Sequence, residues 1–246
     1  MGRLVILSGP SCAGKGPLHA ALRKFHPDLA GPLRTIVLYN SRAPRPGEAD
    51  GADYHFRPRA EIERLRESEG FIVMDVRGDV QALELAAVER LLAAGDAFFE
   101  GNPFIGSRLL QAPLPEGAAR LSVFLAPLSR LEIIELRAPE RRVDLEVFVT
   151  DVMRRKLLRR TRRQKGILSL KDLEEVERRA SSAYAELKLA PGFDFVLPNH
   201  DGEDSENWDA FYYPLADARR TLAAFVNILQ GRTPQAAERW EEGLLP

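Results

Sequence analysis

Apolar positions along this chain fall into two alternating rhythms, short unbroken runs and stripes at helical spacing. Leu4-Val5-Ile6-Leu7 is an unbroken run as long as one buried strand, and Leu18, Ala21, Leu22 and Phe25 then recur with the period of a helix. After a turn-rich stretch at 27–32, the run Thr35-Ile36-Val37-Leu38 predicts a strand whose end delivers Asn40, Ser41 and Arg42. A charged segment at 61–69 keeps Ile62 and Leu65 at helical spacing and predicts a short exposed helix. Residues 86–94 predict an amphipathic helix stopped by Gly95, 97–99 and 121–125 buried strands, and 130–136 a helix cut off by Pro139. The segment 143–153 is either an extra apolar helix or an interaction surface. Residues 193–199 read as the last core strand. A C-terminal helix at 215–229 follows, with Leu222, Phe225, Val226 and Leu229 on one face. The tail after Gly231 is expected to be peripheral.

Composition narrows this picture only a little. The chain has 246 residues, enough for one large α/β domain or a core with inserted subdomains. With 45% apolar and 29% charged residues it has an ordinary globular balance, and a net charge of −1 selects no polyanionic partner globally. Cys12 is the only cysteine, which excludes an internal disulfide and a cysteine-based zinc cluster. No apolar stretch approaches the roughly 20 residues of a membrane helix, and the N-terminus runs straight into the first strand, so a cytoplasmic location is expected.

Candidate chemistry begins between the first strand and the first helix. Residues 9–16 read G-P-S-C-A-G-K-G, and strand, glycine-rich turn and helix is the context that a phosphate-binding loop needs. Gly9, Pro10, Ser11, Cys12, Ala13, Gly14, Lys15 and Gly16 would curl backbone N–H groups around an anion at the positive end of the helix. Lys15 would bring a charge to the outer phosphates. The pattern G-x-x-x-x-G-K-[ST] asks for a hydroxyl where this chain has Gly16; that hydroxyl normally ligates Mg²⁺, so the loop is better fitted to phosphate than to the metal.

Two further charge patterns stand out. Arg42 and Arg45 precede a glycine turn and the run G-A-D-Y-H-F at 51–56. Both arginines can fork onto phosphate oxygens, with Tyr54 adding a hydroxyl, or the segment is a solvated loop with two surface arginines. Further on, Arg154, Arg155, Lys156, Arg159, Arg160, Arg162, Arg163 and Lys165 place eight positive charges within twelve residues. This run is a lid closing over a transferring phosphoryl group, a polyanion site, or a solvated face balanced by the acids at 174–177. No aromatic stacking pattern accompanies it, so binding of nucleic acid or another polyanion through 154–165 is not favoured. His19, His26, His55 and His200 have no metal-ligand spacing and are expected in structural or surface roles.

The loop at 9–16, followed by S-R-A-P-R-P-G-E at 41–48 and G-A-D-Y-H-F at 51–56, resembles the guanylate kinase family. The resemblance implies an α/β fold with a P-loop NTPase-type parallel sheet core flanked by helices, a small acceptor-binding insertion and a helical lid. It implies ATP on residues 9–16 and the phosphate of GMP on Arg42, Arg45 and Tyr54, with Ser41 and Asn40 where the family usually has two threonines. Glu100 and Asn102 fall at the two acidic positions of the family's D-x-D, which work around Mg²⁺ and substrate; Glu100 is thus the metal candidate and Asn102 an acceptor-side residue. Arg178 and Arg179 resemble the family's paired lid arginines and join Lys15 and Glu100 as catalytic candidates. Phe193-Asp194-Phe195-Val196-Leu197-Pro198-Asn199 resembles Y-D-Y-V-I-V-N, which puts Asn199 near the adenine side of the donor site.

Departures from the family pattern cluster on the acceptor side. Leu38 stands at a serine, Val73 at the glutamate that helps read guanine, and Gln81 and Leu83 near a tyrosine and a serine that hold the monophosphate. The implied division is a core of 1–34, 84–136 and 190–231, an acceptor region 35–83, a basic lid 137–189 and a tail 232–246. The expected activity is ATP- and Mg²⁺-dependent phosphoryl transfer to a nucleoside monophosphate, GMP first. The alternatives are a kinase for another phosphorylated acceptor, such as a ribose phosphate, and a binding module of the same fold without turnover.

Overall fold

The structure, a computed structural model, describes residues 1–44 and 47–246. In chain order its strands are β1 (Arg3–Ser8), β2 (Leu33–Thr35), β3 (Leu38–Asn40), β4 (Tyr54–Phe56), β5 (Phe71–Val76), β6 (Asp79–Glu84), β7 (Asp96–Gly101), β8 (Ala119–Ala126) and β9 (Phe195–Pro198). The helices are α1 (Lys15–Phe25), α2 (Pro27–Ala30), α3 (Arg59–Arg64), α4 (Leu85–Ala94), α5 (Pro103–Gln111), α6 (Arg130–Leu136), α7 (Leu145–Lys165), α8 (Leu170–Leu187) and α9 (Ala216–Leu229).

A parallel sheet in the order β2-β7-β1-β8-β9 forms the core. Such a sheet must be covered on both faces, because crossover helices return over it. The central strand β1 shows this directly: Leu4 and Ile6 enter one apolar cluster, Val5 and Leu7 the other. Leu18 and Leu22 of α1 and Leu222 and Phe225 of α9 close one face. Leu92 of α4, Ile105 of α5, and Met153 and Leu157 of α7 close the opposite one. A second, smaller sheet in the order β4-β3-β6-β5 joins the core through Leu38, Val76 and Leu83 and also carries a separate cluster of Ile62, Val80 and Ala82.

Three expectations are corrected by these elements. The run at 35–38 is not one strand: Thr35 ends β2 in the core sheet and Leu38 begins β3 in the second sheet, so the chain changes sheets at Ile36 and Val37. The segments 143–153 and 154–165 are one helix, α7, opened by Asp144, whose carboxylate accepts from Val147 N. Its apolar positions Val149, Met153 and Leu157 recur every fourth residue and anchor it in the core, which leaves the basic positions on the other faces. The tail is not peripheral. Glu238 exchanges backbone hydrogen bonds of 2.8 and 2.9 Å with Val196 of β9, and Trp240, Leu244 and Leu245 are buried in the core. Helix α5 was unforeseen, although Asn102-Pro103 is a cap followed by a first-turn proline: Asn102 Oδ1 accepts from Ile105 N at 3.0 Å.

Among the described residues no helix is long and apolar enough to cross a membrane. His200, just beyond β9, joins three elements through its ring: Nδ1 faces Asp217 of α9, and Nε2 lies 2.9 Å from Glu132 of α6. Burial disfavours the charged imidazole, but the hydrogen bonds and charges of Asp217 and Glu132 outweigh it and raise the pKa above the ordinary 6.5. A raised pKa means that the fold gains stability from the imidazolium fully below pH 6.5, and loses it as pH rises through the folded-state value. The melting-temperature gap between wild type and His200→Ala should therefore be widest near about pH 5.5 and narrow by about pH 8.5. A gap that stays constant or widens over that range would contradict this assignment.

Candidate active site

Strand β1 ends at Ser8, and the chain turns through residues 9–14 into α1. Cys12 (φ 69°) and Gly14 (φ 101°) are left-handed, and a Cβ on Gly14 would stand 2.4 Å from Asn199 Nδ2, so both the backbone and the space require glycine there. Asn199 braces the loop from below. It is fully buried, and its Nδ2 donates to Ala13 O at 2.8 Å and Asp201 O at 2.7 Å. Lys15 Nζ donates to the carbonyls of Gly9 and Pro10, both at 2.7 Å, across the mouth of the loop. Burial lowers the Lys15 pKa, while the charges of Glu203 and Glu100 oppose the shift. The Cys12 thiol is pushed up to about 12, first by burial and then by the charge of Glu203. It is no nucleophile at neutral pH.

One cleft of about 190 Å³ brings together Lys15, Arg42, Tyr54, Glu100, Asn102 and Arg179, residues from both sheets and the lid. The Arg42 guanidinium lies 5.0 Å over the Tyr54 ring, held there by Glu48 through two contacts of 2.6 Å. Asn102 is occupied at both ends, capping α5 and donating from Nδ2 to Gln81 Oε1 at 2.9 Å. Ser41 and Arg178 lie outside the cleft. Ser41 Oγ accepts from Val80 N at 2.8 Å and ties β3 to β6; Arg178 Nη1 is 3.4 Å from the carbonyl of Arg77 at the β5–β6 turn. Arg45 falls outside the described residues.

Several cleft residues carried no role in the sequence reading. Glu203 accepts from Gly14 N at 3.0 Å, so a carboxylate sits on the amide that opens α1. Its neighbour Gly202 has no room for a side chain, since a Cβ would meet Cys12 O at 1.9 Å. Arg77 reaches from the β5–β6 turn to α8, where Nε lies 2.7 Å and Nη2 2.5 Å from Glu186 Oε1. Arg179 is paired with Glu175 at 2.5 Å. The cleft's N–H and guanidinium donors thus carry the chain's own carboxylates: Glu203 on the loop, Glu48 on Arg42 and Glu175 on Arg179. Asp79 also lines the cleft, whereas the nearby Asp75 pairs with Arg59 at 2.9 Å and Arg66 at 2.5 Å on the surface.

The basic run is largely consumed inside the molecule. Arg154, Lys156, Arg159, Arg163 and Lys165, five of the eight cations, form ion pairs. Three of them converge on the acidic loop after Asn199: Lys156 and Arg159 reach Asp204 at 3.0 and 2.6 Å, and Arg163 donates to its carbonyl at 3.0 Å. Arg160 differs. It lines the cleft, and its buried Nε has no hydrogen-bond partner among the described residues.

At Glu100, the metal candidate, the geometry is specific. Pairing of Leu7 with Glu100 and Ser8 with Gly101 carries the end of β7 alongside the start of the loop. A Cβ built on Gly16 would have Glu100 Oε1 as its nearest neighbour, at 3.7 Å. The other oxygen, Oε2, lies 3.0 Å from His19 Nδ1, one turn further along α1.

Fold and loop define the class: a P-loop α/β protein with an inserted second sheet and a helical lid meeting at one cleft. The family model described as guanylate kinase matches residues 1–99. A guanylate kinase from Rhodococcus jostii is 32% identical over 203 residues, covering 81% of both chains, and one from Synechococcus is 30% identical over 87% of this chain and 83% of its own. In three dimensions the crystal structure of guanylate kinase from Anaplasma phagocytophilum shares the fold with a TM-score of 0.52, at 16% identity over 96% of this chain and 89% of that one. This chain belongs to the guanylate kinase family.

Proposed function

We propose that the chain moves the γ-phosphoryl group of ATP onto GMP. The observation that carries this reading is the single cleft in which the loop lysine, Lys15, faces Arg42 stacked over Tyr54. A phosphate loop alone would fit any nucleotide hydrolase; a second anion seat across the same cleft fits an acceptor that is itself phosphorylated.

On this reading the donor phosphates take the Gly14 amide from Glu203 and receive Lys15 from the carbonyls of Gly9 and Pro10. Arg42 and Tyr54 hold the acceptor phosphate, one oxygen of which attacks the γ-phosphorus as ADP leaves. Arg160 from α7 and Arg179 from α8 supply positive charge at the equatorial oxygens. No protein nucleophile is needed, since the chemistry rests on positioning and charge. Mg²⁺ fits the residues present: it is commonly held by one or two carboxylates plus substrate phosphates, and Glu100 is such a carboxylate beside the loop. When bound it would neutralise charge on the phosphate oxygens.

Because Glu203 competes for the Gly14 amide, Glu203→Ala should tighten ATP binding about tenfold, as expected for removing one charge-assisted rival. Titration calorimetry with ATP checks this; unchanged or weaker binding would make Glu203 a support of the loop instead.

The reading itself is tested by ATP consumption with Mg²⁺ across nucleoside monophosphates and ribose phosphates. A second acceptor class has one specific observation in its favour. Val73 packs against the Ile62, Val80 and Ala82 cluster, and Leu83 is fully buried in the core, so neither offers a polar group to a base or phosphate. Turnover with GMP supports the proposal, and turnover with a ribose phosphate alone replaces the acceptor. Binding of ATP without turnover on any acceptor leaves the binding module.

A further inference from the structure

We propose that Glu100, held in place by His19, stands in for the hydroxyl that the phosphate-loop pattern puts at position 16. His19 is then a positioning residue for the metal–nucleotide complex. The inference rests on the ATP and Mg²⁺ reading above and adds what this chain does about its own missing ligand.

Three observations converge. Gly16 lies on α1 with its missing side chain facing Glu100, and the 3.7 Å between its built Cβ and Oε1 is ordinary contact distance. Oε1 therefore borders the space a serine hydroxyl would enter. Register fixes the glutamate backbone, because β7 pairs with β1 through Leu7 and Glu100 at the point where the loop begins. His19 then fixes the side chain. Its Nδ1 is 3.0 Å from Oε2, and its ring meets Phe98 edge-on at a centroid distance of 4.7 Å. A carboxylate only accepts, so Nδ1 carries the proton in this bond, and with Oε2 engaged it is Oε1 that is presented toward Gly16.

The physical need for such a clamp is clear. A hydroxyl on the first turn of a helix is held rigidly by the backbone, whereas a glutamate side chain has three rotatable bonds and must be immobilised to serve equally well. Hydrogen bonds from a second layer do this for metal-ligating carboxylates, and removing one typically costs 10–100-fold in metal affinity. His19 lies on the same face of α1 as Gly16, three residues on, which places both at Glu100.

The test uses Mn²⁺ as the probe, followed by its paramagnetic resonance signal, with the non-hydrolysable analogue AMP-PNP bound to the full chain. His19→Leu, which keeps bulk but no donor, should weaken Mn²⁺ binding about tenfold or more, while AMP-PNP binding in EDTA stays within about twofold of wild type. His19→Asn, whose amide can reach the same oxygen, should recover most of the loss. Adding Gly16→Ser to His19→Leu should restore Mn²⁺ affinity, because the hydroxyl returns. Unchanged Mn²⁺ affinity in His19→Leu, or no recovery on adding Gly16→Ser, would overturn the proposal. So would a parallel fall in AMP-PNP affinity in EDTA, which marks a role in the fold of the loop alone. Failure of AMP-PNP to bind wild type under either condition would instead bring down the donor-site reading, and this inference with it.

Discussion

Lys15→Ala is expected to lower kcat by on the order of 10³-fold, about 4 kcal/mol of transition-state stabilisation. Charge develops on the transferring phosphoryl oxygens, and Lys15 is the cation that the loop brings to them. Its pKa is already lowered by burial, so the protein sustains an unfavourable desolvation at this position, offset in part by Glu203 and Glu100. The two carbonyls that now accept from Nζ, Gly9 O and Pro10 O, belong to the loop itself, so the side chain is tethered at the phosphate seat with only a short distance to move. Arginine should not rescue the loss, because its planar fork cannot replace a compact ammonium in this enclosed position. Steady-state kinetics with GMP, backed by a circular-dichroism check of folding, measures the effect. A kcat within about tenfold of wild type would remove Lys15 from the chemistry.

Glu186→Ala should be the most damaging change away from the loop, with a loss of about 3–5 kcal/mol of stability. Glu186 on α8 is fully buried, and its Oε1 accepts from Arg77 Nε at 2.7 Å and from Ser182 Oγ at 2.7 Å. Arg77 is itself only 14% exposed in its side chain, and it sits at the left-handed first position of a two-residue turn between β5 and β6. Removing the carboxylate strands a guanidinium that has little access to water, and that asymmetry makes a broken buried pair so costly. Urea unfolding should show the loss, with a melting temperature lower by on the order of 10 °C for a chain of this size. The pair also ties the acceptor sheet to the lid helix, and Glu186→Gln, which keeps the shape and an accepting oxygen but not the charge, should lose nearly as much. A much smaller loss in Glu186→Gln than in Glu186→Ala would mean that packing and a neutral hydrogen bond, and not the ion pair, hold α8 to the turn.

Much of the site was legible because its signals are local. A strand, a glycine-rich turn and a lysine at the head of a helix occupy adjacent residues, and the conformation each needs is written in its own residue type, as at Gly14. Arg42 and Tyr54 were legible for the same reason, being twelve residues apart in one connected segment. The same local logic misplaced the boundary at Thr35, since an unbroken apolar run says that residues are buried and not which sheet buries them. It misjudged the tail as well. Trp240 and Leu244 carry no periodic pattern, and only their docking beside β9 makes them core residues.

The contacts that set the chemistry were beyond such signals. Glu203 meets Gly14 across 189 positions, Arg77 meets Glu186 across 109, and His19 meets Glu100 across 81. Each pair depends on strand order, which no single stretch encodes. Because β7 lies beside β1 in the sheet order β2-β7-β1-β8-β9, Glu100 arrives where Gly16 lacks a side chain. Because β9 lies beside β8, the acidic loop after Asn199 passes over the glycine-rich loop at Gly14. The sequence by itself determined the alternation of strands and helices, the glycine-rich loop ahead of Lys15 and the segment that carries Arg42 and Tyr54, since short-range sterics and periodicity are properties of neighbouring residues. Only the tertiary structure decided which carboxylate meets the Gly14 amide, Arg42 and Arg179, which basic residue of α7 lines the cleft and which side chain faces the gap at Gly16. Those choices belong to the packing of distant segments, where burial and charge are settled jointly by partners far apart in the chain.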